Sequence, residues 1–147
     1  PDQGVRSFLC SRRADVLKLW VALQRYGADG IGELYDHLCA VTQSMAREIE
    51  TRNDFEGLHE PECNILCFRY RGTGRRALDD AEMDALNRAL REAYNRSGAG
   101  WITATRLEGR VVLRVTVMNA RTREEHARKL LDGLAAEGAR VEEDMFA

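Results

Sequence analysis

Lysine is almost absent from this chain of 147 residues: Lys18 and Lys129 stand beside twenty arginines among its 22 basic residues. A reaction that anchors a carbonyl compound on a lysine amine therefore has only two candidates here. Long apolar runs are missing too. No stretch approaches the ~18 residues of a membrane span, and no charged-then-apolar leader opens the chain. Neither sign of charge dominates: 22 basic against 24 acidic residues leave a net charge of −2, with no global field to draw nucleic acid or a membrane surface. The expectation is a cytoplasmic globular protein with neither as partner. A hydrophobic share of 44% excludes a disordered tail, and a chain of this length buries a core without disulfides or metals.

The four cysteines, at 10, 39, 63 and 67, have no metal-site spacing. Cys63 and Cys67 are separated by three residues and no second pair follows, so no zinc site is expected. Cys39 and Cys67 lie within apolar patterns, as small buried hydrophobes with free thiols. There is no glycine-rich phosphate loop and no nucleophile elbow. His37, His59 and His126 are scattered and read as surface or capping residues. Asp79-Asp80 reads as a helix cap and Glu142-Glu143 as a solvated tail. The first residue is Pro1 rather than methionine, and the chain is expected to begin inside a longer product.

What is present is helical periodicity followed by strands. Ser11 precedes Val16, Leu19, Trp20, Leu23 and Tyr26, which recur at three- and four-residue steps until Gly27. After a turn over 27–30, Ile31, Leu34, Tyr35, Leu38, Val41, Met45 and Ile49 repeat the pattern to about Asn53-Asp54. Beyond Pro61, the run 64–70 is strand-like. Asp79 and Glu82 form a capping box for a helix carrying Met83, Leu86, Leu90 and Tyr94, closed by Gly98. Residues 101–106 and 110–118 read as a hairpin around Glu108-Gly109. Thr122 and Glu125 form a second box, before a helix expected to stop at Gly138. The order is that of an α+β unit, a small antiparallel sheet with helices on one face, following an N-terminal helical pair.

Two places have chemistry in them. In the last strand Leu113, Val115 and Val117 form one apolar face, while Val112, Arg114, Thr116 and Met118 form the other. An arginine fork on a rigid strand suits a carboxylate or phosphate; the plain alternative is an arginine reaching water or a structural acid. Ser11-Arg12-Arg13 at a helix start can also hold an anion, or be a cap with solvated arginines.

Ser11-Arg12-Arg13-Ala14-Asp15-Val16-Leu17-Lys18-Leu19-Trp20, with Tyr26-Gly27 and Gly30, resembles a segment of the group II pyridoxal-phosphate-dependent amino-acid decarboxylases. Tyr35-Asp36-His37-Leu38, Asp54-Phe55-Glu56, Glu60-Pro61, Leu66-Cys67-Phe68-Arg69 and Val112–Asn119 continue the likeness in order. The Tyr-Asp-His-Leu run and the ending at Asn119 look most like the L-2,4-diaminobutyrate branch. The resemblance implies the C-terminal portion of a homodimeric decarboxylase of a diaminobutyrate, glutamate or aromatic L-amino acid. Residues 1–53 would be the tail of the large cofactor domain and 54–147 the small C-terminal domain. It implies that the lysine binding pyridoxal 5′-phosphate lies upstream, that Lys18 is not that lysine, and that this chain alone has no catalytic residue and no activity. It also implies that Arg114 holds the substrate carboxylate and that Ser11 reaches toward the substrate side chain. The reading from another class is a free-standing α+β module that binds a small molecule or regulates.

Overall fold

In the computed structural model, which describes residues 13–147, the chain folds as α1 (Val16–Glu50), β1 (Phe55–Gly57), β2 (Ile65–Tyr70), α2 (Asp80–Ser97), β3 (Thr103–Leu107), β4 (Arg110–Thr116) and α3 (Glu124–Phe146). It divides into two compact units, the first ending at Leu34 and the second comprising Tyr35–Ala147. The expected turn over 27–30 shrinks to one residue. Gly27, at φ 69° and ψ 178°, is the single non-helical point of α1, in a region essentially reserved for glycine. In the first unit Val16, Leu19, Trp20, Leu23 and Tyr26, the expected apolar stripe, are exposed.

In the second unit α1 buries Val41, Met45 and Ile49, spaced by four residues along one helical face. The sheet has the order β1-β2-β4-β3, and every pair is antiparallel. Leu66, Phe68 and Tyr70 from alternate positions of β2, with Leu113 of β4 and Phe55 of β1, meet Met45, Ile49, Leu86, Leu90, Tyr94, Leu131 and Leu134 from the three helices. The architecture is the expected α+β arrangement with a single core on one face of the sheet. Strand β1 was not visible in the sequence, because three residues are too few to show an alternation. Its Phe55 sets an edge-on ring against Tyr70 (5.5 Å) and Phe68 (5.7 Å).

Three local expectations are corrected. Helix α3 does not stop at Gly138. A Cβ there would lie 2.6 Å from Cε1 of Tyr70, so this glycine admits a ring rather than ending a helix. Its start is capped not by Thr122 and Glu125 but by His126, whose Nδ1 accepts the Arg123 amide at 3.0 Å. Glu142 is no solvated tail residue. It is 7% exposed and accepts the Thr73 amide at 2.6 Å and the Thr73 hydroxyl at 3.3 Å. The α2 box matches the sequence reading: Asp79 accepts the Glu82 amide at 2.8 Å and Glu82 accepts the Asp79 amide at 3.1 Å.

Two polar residues of α2 clamp the sheet. Asn87 accepts the Tyr70 amide and donates to the Tyr70 carbonyl, both at 2.9 Å, pairing with β2 as a neighbouring strand would. Asp84 accepts the Val111 amide at 2.8 Å and the guanidinium of Arg69 at 2.9 Å. Arg69 is 1% exposed, and its second carboxylate, Asp80, lies at 3.3 Å.

The hairpin between β3 and β4 turns through Glu108 (φ 50°) and Gly109 (φ 83°), both in the left-handed region that a two-residue connection of this hand requires. Glutamate is strained there, whereas asparagine is tolerated. Glu108→Asn is expected to stabilise the fold by about 1 kcal/mol, read as a rise in the urea midpoint at unchanged slope. Asp84→Ala strands a buried guanidinium and an amide, and is expected to cost about 3–5 kcal/mol. Asp80→Ala, at a largely exposed carboxylate, is expected to cost far less. Equal effects in the two variants would show that the clamp is not where the stability resides.

Candidate functional site

β4 lies between two strands, so Arg114 has a cross-strand neighbour on each side: Cys67 of β2 and Thr103 of β3. Residues directly opposite one another share a face of the sheet. Leu113 faces the core, which puts Arg114 on the other side, where it is exposed. The expected core face holds: Leu113 and Val117 are buried and Val115 is half-buried. The Arg114 face is mixed, with Val112 fully buried, Thr116 half-buried and Met118 exposed.

Among the described residues the Arg114 guanidinium makes no ion pair and no hydrogen bond. Of the plain alternative, the structural acid is not what the described residues show, while the exposure of Arg114 agrees with an arginine reaching water. Its neighbours are neutral. Thr103 turns its hydroxyl to the strand, donating to the Arg114 carbonyl at 2.9 Å. Cys67 is a half-buried free thiol. Burial pushes that thiol above its ordinary value, and the Arg114 guanidinium pulls it part of the way back. The backbone beneath is held by His59, whose Nε2 accepts the Cys67 amide at 3.0 Å. An accepting Nε2 leaves the proton on Nδ1, which donates to the Glu60 carbonyl at 3.1 Å. A planar set of five donors, raised from a central strand between two neutral side chains, has the geometry to pair with a carboxylate or phosphate through two hydrogen bonds.

The other sequence candidates lie elsewhere. Ser11 and Arg12 fall outside the described residues, and Arg13 is exposed just before α1. Lys18 is exposed and pairs with Asp15 at 2.7 Å; Lys129 is exposed on α3. His37 meets the Thr122 carbonyl at 2.9 Å. Among the described residues no group of three or more His, Cys, Asp or Glu side chains could hold a metal ion. Sequence reasoning did not find Cys67 and Thr103 beside Arg114. Cys67 was read only as a small buried hydrophobe in a strand-like run, and which strand lies next to β4, and in what register, is not written in either segment.

Comparison with known proteins gives this geometry its context. The pyridoxal-dependent decarboxylase conserved domain matches residues 1–71. The acidic amino acid decarboxylase GADL1 of Xenopus tropicalis is 42% identical over 69 residues, covering 47% of this chain and 14% of that protein. The L-2,4-diaminobutyrate decarboxylase of Rhizobium meliloti (strain 1021) is 27% identical over 142 residues, covering 97% of this chain and 28% of that protein. Among solved structures, the glutamate decarboxylase domain of diaminobutyrate-pyruvate transaminase and L-2,4-diaminobutyrate decarboxylase from Vibrio parahaemolyticus superposes with a TM-score of 0.76 at 31% identity, covering 86% of this chain and 26% of that one. The chain thus spans less than a third of the length of each of these proteins. By sequence and by fold the chain is similar to pyridoxal-dependent amino-acid decarboxylases: the match to their conserved domain falls on residues 1–71, and the likeness to L-2,4-diaminobutyrate decarboxylase runs along nearly its whole length.

Proposed function

We propose that this chain is the C-terminal part of a pyridoxal-phosphate-dependent L-amino-acid decarboxylase, and that it supplies Arg114 to hold the α-carboxylate of the substrate. The observation that carries the reading is the guanidinium of Arg114 on β4, unclaimed among the described residues, between neutral Cys67 and Thr103. The named relatives act on acidic amino acids and on diaminobutyrate. Those substrates differ in side chain and share an α-carboxylate, so a guanidinium serving this chemistry suits the shared group. The substrate is a diaminobutyrate, glutamate or aromatic L-amino acid. Residues 1–53 belong to the tail of the large domain and 54–147 to the small domain of a cytoplasmic homodimer.

The described residues do not fit pyridoxal 5′-phosphate. A lysine that binds a carbonyl group is activated by desolvation or by a neighbouring cation. Lys18 instead stands in water against Asp15, and Lys129 is exposed on the outside of α3. The anchoring lysine is accordingly assigned to a segment outside this sequence, and the role of this chain is confined to binding and orientation. Two parallel N–H donors fix both oxygens of a carboxylate and so fix its plane, where a single point charge would leave it free to swing. Holding the breaking bond in one orientation contributes to rate through the entropy already lost on binding.

Two outcomes are expected. The chain alone, mixed with pyridoxal phosphate and reduced with borohydride, should yield no stoichiometric adduct on Lys18 or Lys129; one mapped to either lysine would contradict the assignment. In the full-length decarboxylase, Arg114→Met should lower kcat/KM by on the order of 10²-fold, with Arg114→Lys between it and the parent. The melting temperature should be kept in both, because the core face of β4 is Leu113 and Val117. A Met variant with the parent's efficiency would return Arg114 to an ordinary surface arginine.

A further inference from the structure

The sheet face opposite the core carries two arginines with opposite fates. Arg69 and Cys67 are two residues apart on β2, so they share that face, and Cys67 is the cross-strand partner of Arg114. Arg69 is 1% exposed and held by Asp80 and Asp84. Arg114 has no such partner among the described residues. Arg69 is held by acids of α2 and not by Glu56, its cross-strand partner on β1, whereas no acid of α2 reaches Arg114 and none stands opposite it on either neighbouring strand. Side chains directly across an antiparallel pair come within about 5 Å at Cβ, and an opposite charge at such a position attracts its neighbour. On the β2 side of Arg114 that position is a half-buried thiol; on the β3 side it is a threonine whose hydroxyl is engaged with the strand backbone.

We propose that Cys67 is a positioning residue for Arg114: small and neutral, it occupies one of the two cross-strand places from which an acidic side chain would pair with the fork, and so leaves the fork free for a substrate carboxylate. The inference rests on the reading of Arg114 given above, but the contact it requires is separable from that reading. A thiol next to a guanidinium has its ionised form favoured, and the Cys67 thiol responds to the Arg114 charge in this direction. Serine in place of cysteine keeps the size and the neutrality. Aspartate keeps the size and inserts a charge.

The thiol reports the contact without any catalysis. In the chain carrying Cys63→Ser, Cys67 is the only cysteine of the tryptic peptide 53–69. Its alkylation rate by iodoacetamide, followed against pH by mass spectrometry, gives its ionisation midpoint. Arg114→Met is expected to raise that midpoint by about 0.5–1 pH unit, the scale of one neighbouring charge partly screened by water. An unchanged midpoint would overturn the proposal whatever Arg114 does in catalysis. In the full-length decarboxylase, Cys67→Asp should raise KM for the amino acid about tenfold or more with a smaller change in kcat, and Cys67→Ser should leave both near the parent. An Asp variant that keeps the parent KM and its melting temperature would likewise overturn it. If the midpoint moves but Arg114→Met leaves kcat/KM intact, the contact is real and the carboxylate-binding reading is what fails.

Discussion

The grip of α2 on the ends of β2 and β4 is the constraint on which the rest depends. Asp84 binds a backbone amide of β4 and the Arg69 side chain of β2, while Asn87 binds both backbone groups of Tyr70. Both residues lie on the helix that connects β2 to the β3–β4 hairpin, so one rigid element sets where the two central strands begin to pair. In a sheet that choice is nearly binary, because a slip of one residue moves every side chain to the opposite face. With Phe68 opposite Leu113, the core receives a continuous apolar layer and the other face receives Cys67 beside Arg114. A one-residue slip would carry the Arg114 guanidinium into the layer now occupied by Leu113. The polar clamp and the candidate site are therefore linked through register.

A second set of constraints concerns tyrosine rings. Tyr70 and Tyr94 are nearly fully buried, and each is accommodated by a glycine of α3: Gly138 under Tyr70 and Gly133 under Tyr94, where added Cβ atoms would lie 2.6 and 3.1 Å from the rings. Burial, with the carboxylates of Glu142 and Asp54 adding to it, pushes the Tyr70 hydroxyl up to about 12. A raised value means that the neutral ring is the form the fold accepts. Its contribution is complete below pH 10, the ordinary value, and is lost as pH rises from there through about 12. Arg52 completes this corner, joining Asp54 after α1 to Asp132 on α3 and lying over the Phe55 ring. Those carboxylates, Asp54 first, hold its guanidinium above its ordinary value.

These packings explain which parts of the structure were legible in the sequence. Elements with a long period and a local end signal were readable: α2 from its capping box to Gly98, and the β3–β4 hairpin from Glu108-Gly109. The break at Gly27 was readable for the same reason, although the turn expected around it was too long. What failed had its cause elsewhere in the chain. Gly138 looks like a helix stop until Tyr70, 68 residues away in sequence, is seen to need the space. Glu142 looks like a solvated tail until the Thr73 amide turns to meet it. For the candidate site, alternation alone placed Arg114 on the face opposite Leu113. It could not supply Cys67 and Thr103, because cross-strand neighbours are set by register and the register is held by side chains of another helix.

The contrast between Arg69 and Arg114 shows how one residue type takes two roles on one face. A guanidinium in the interior must be paired and hydrogen-bonded, and Arg69, with two carboxylates and almost no exposure, meets that demand except at Nε, which has no partner. Such a group is structural: its donors are spent, and a ligand would have to compete with carboxylates fixed by α2. Among the described residues Arg114 keeps all its donors because no acid of α2 reaches it and because Cys67 and Thr103 offer it nothing to bind. An arginine in water makes weak contacts with passing anions, since solvent screens them. Covering this face with further protein would remove that screening. The same guanidinium would then require a partner as strictly as Arg69 does, and a substrate carboxylate entering between the covering surface and β4 would meet that requirement.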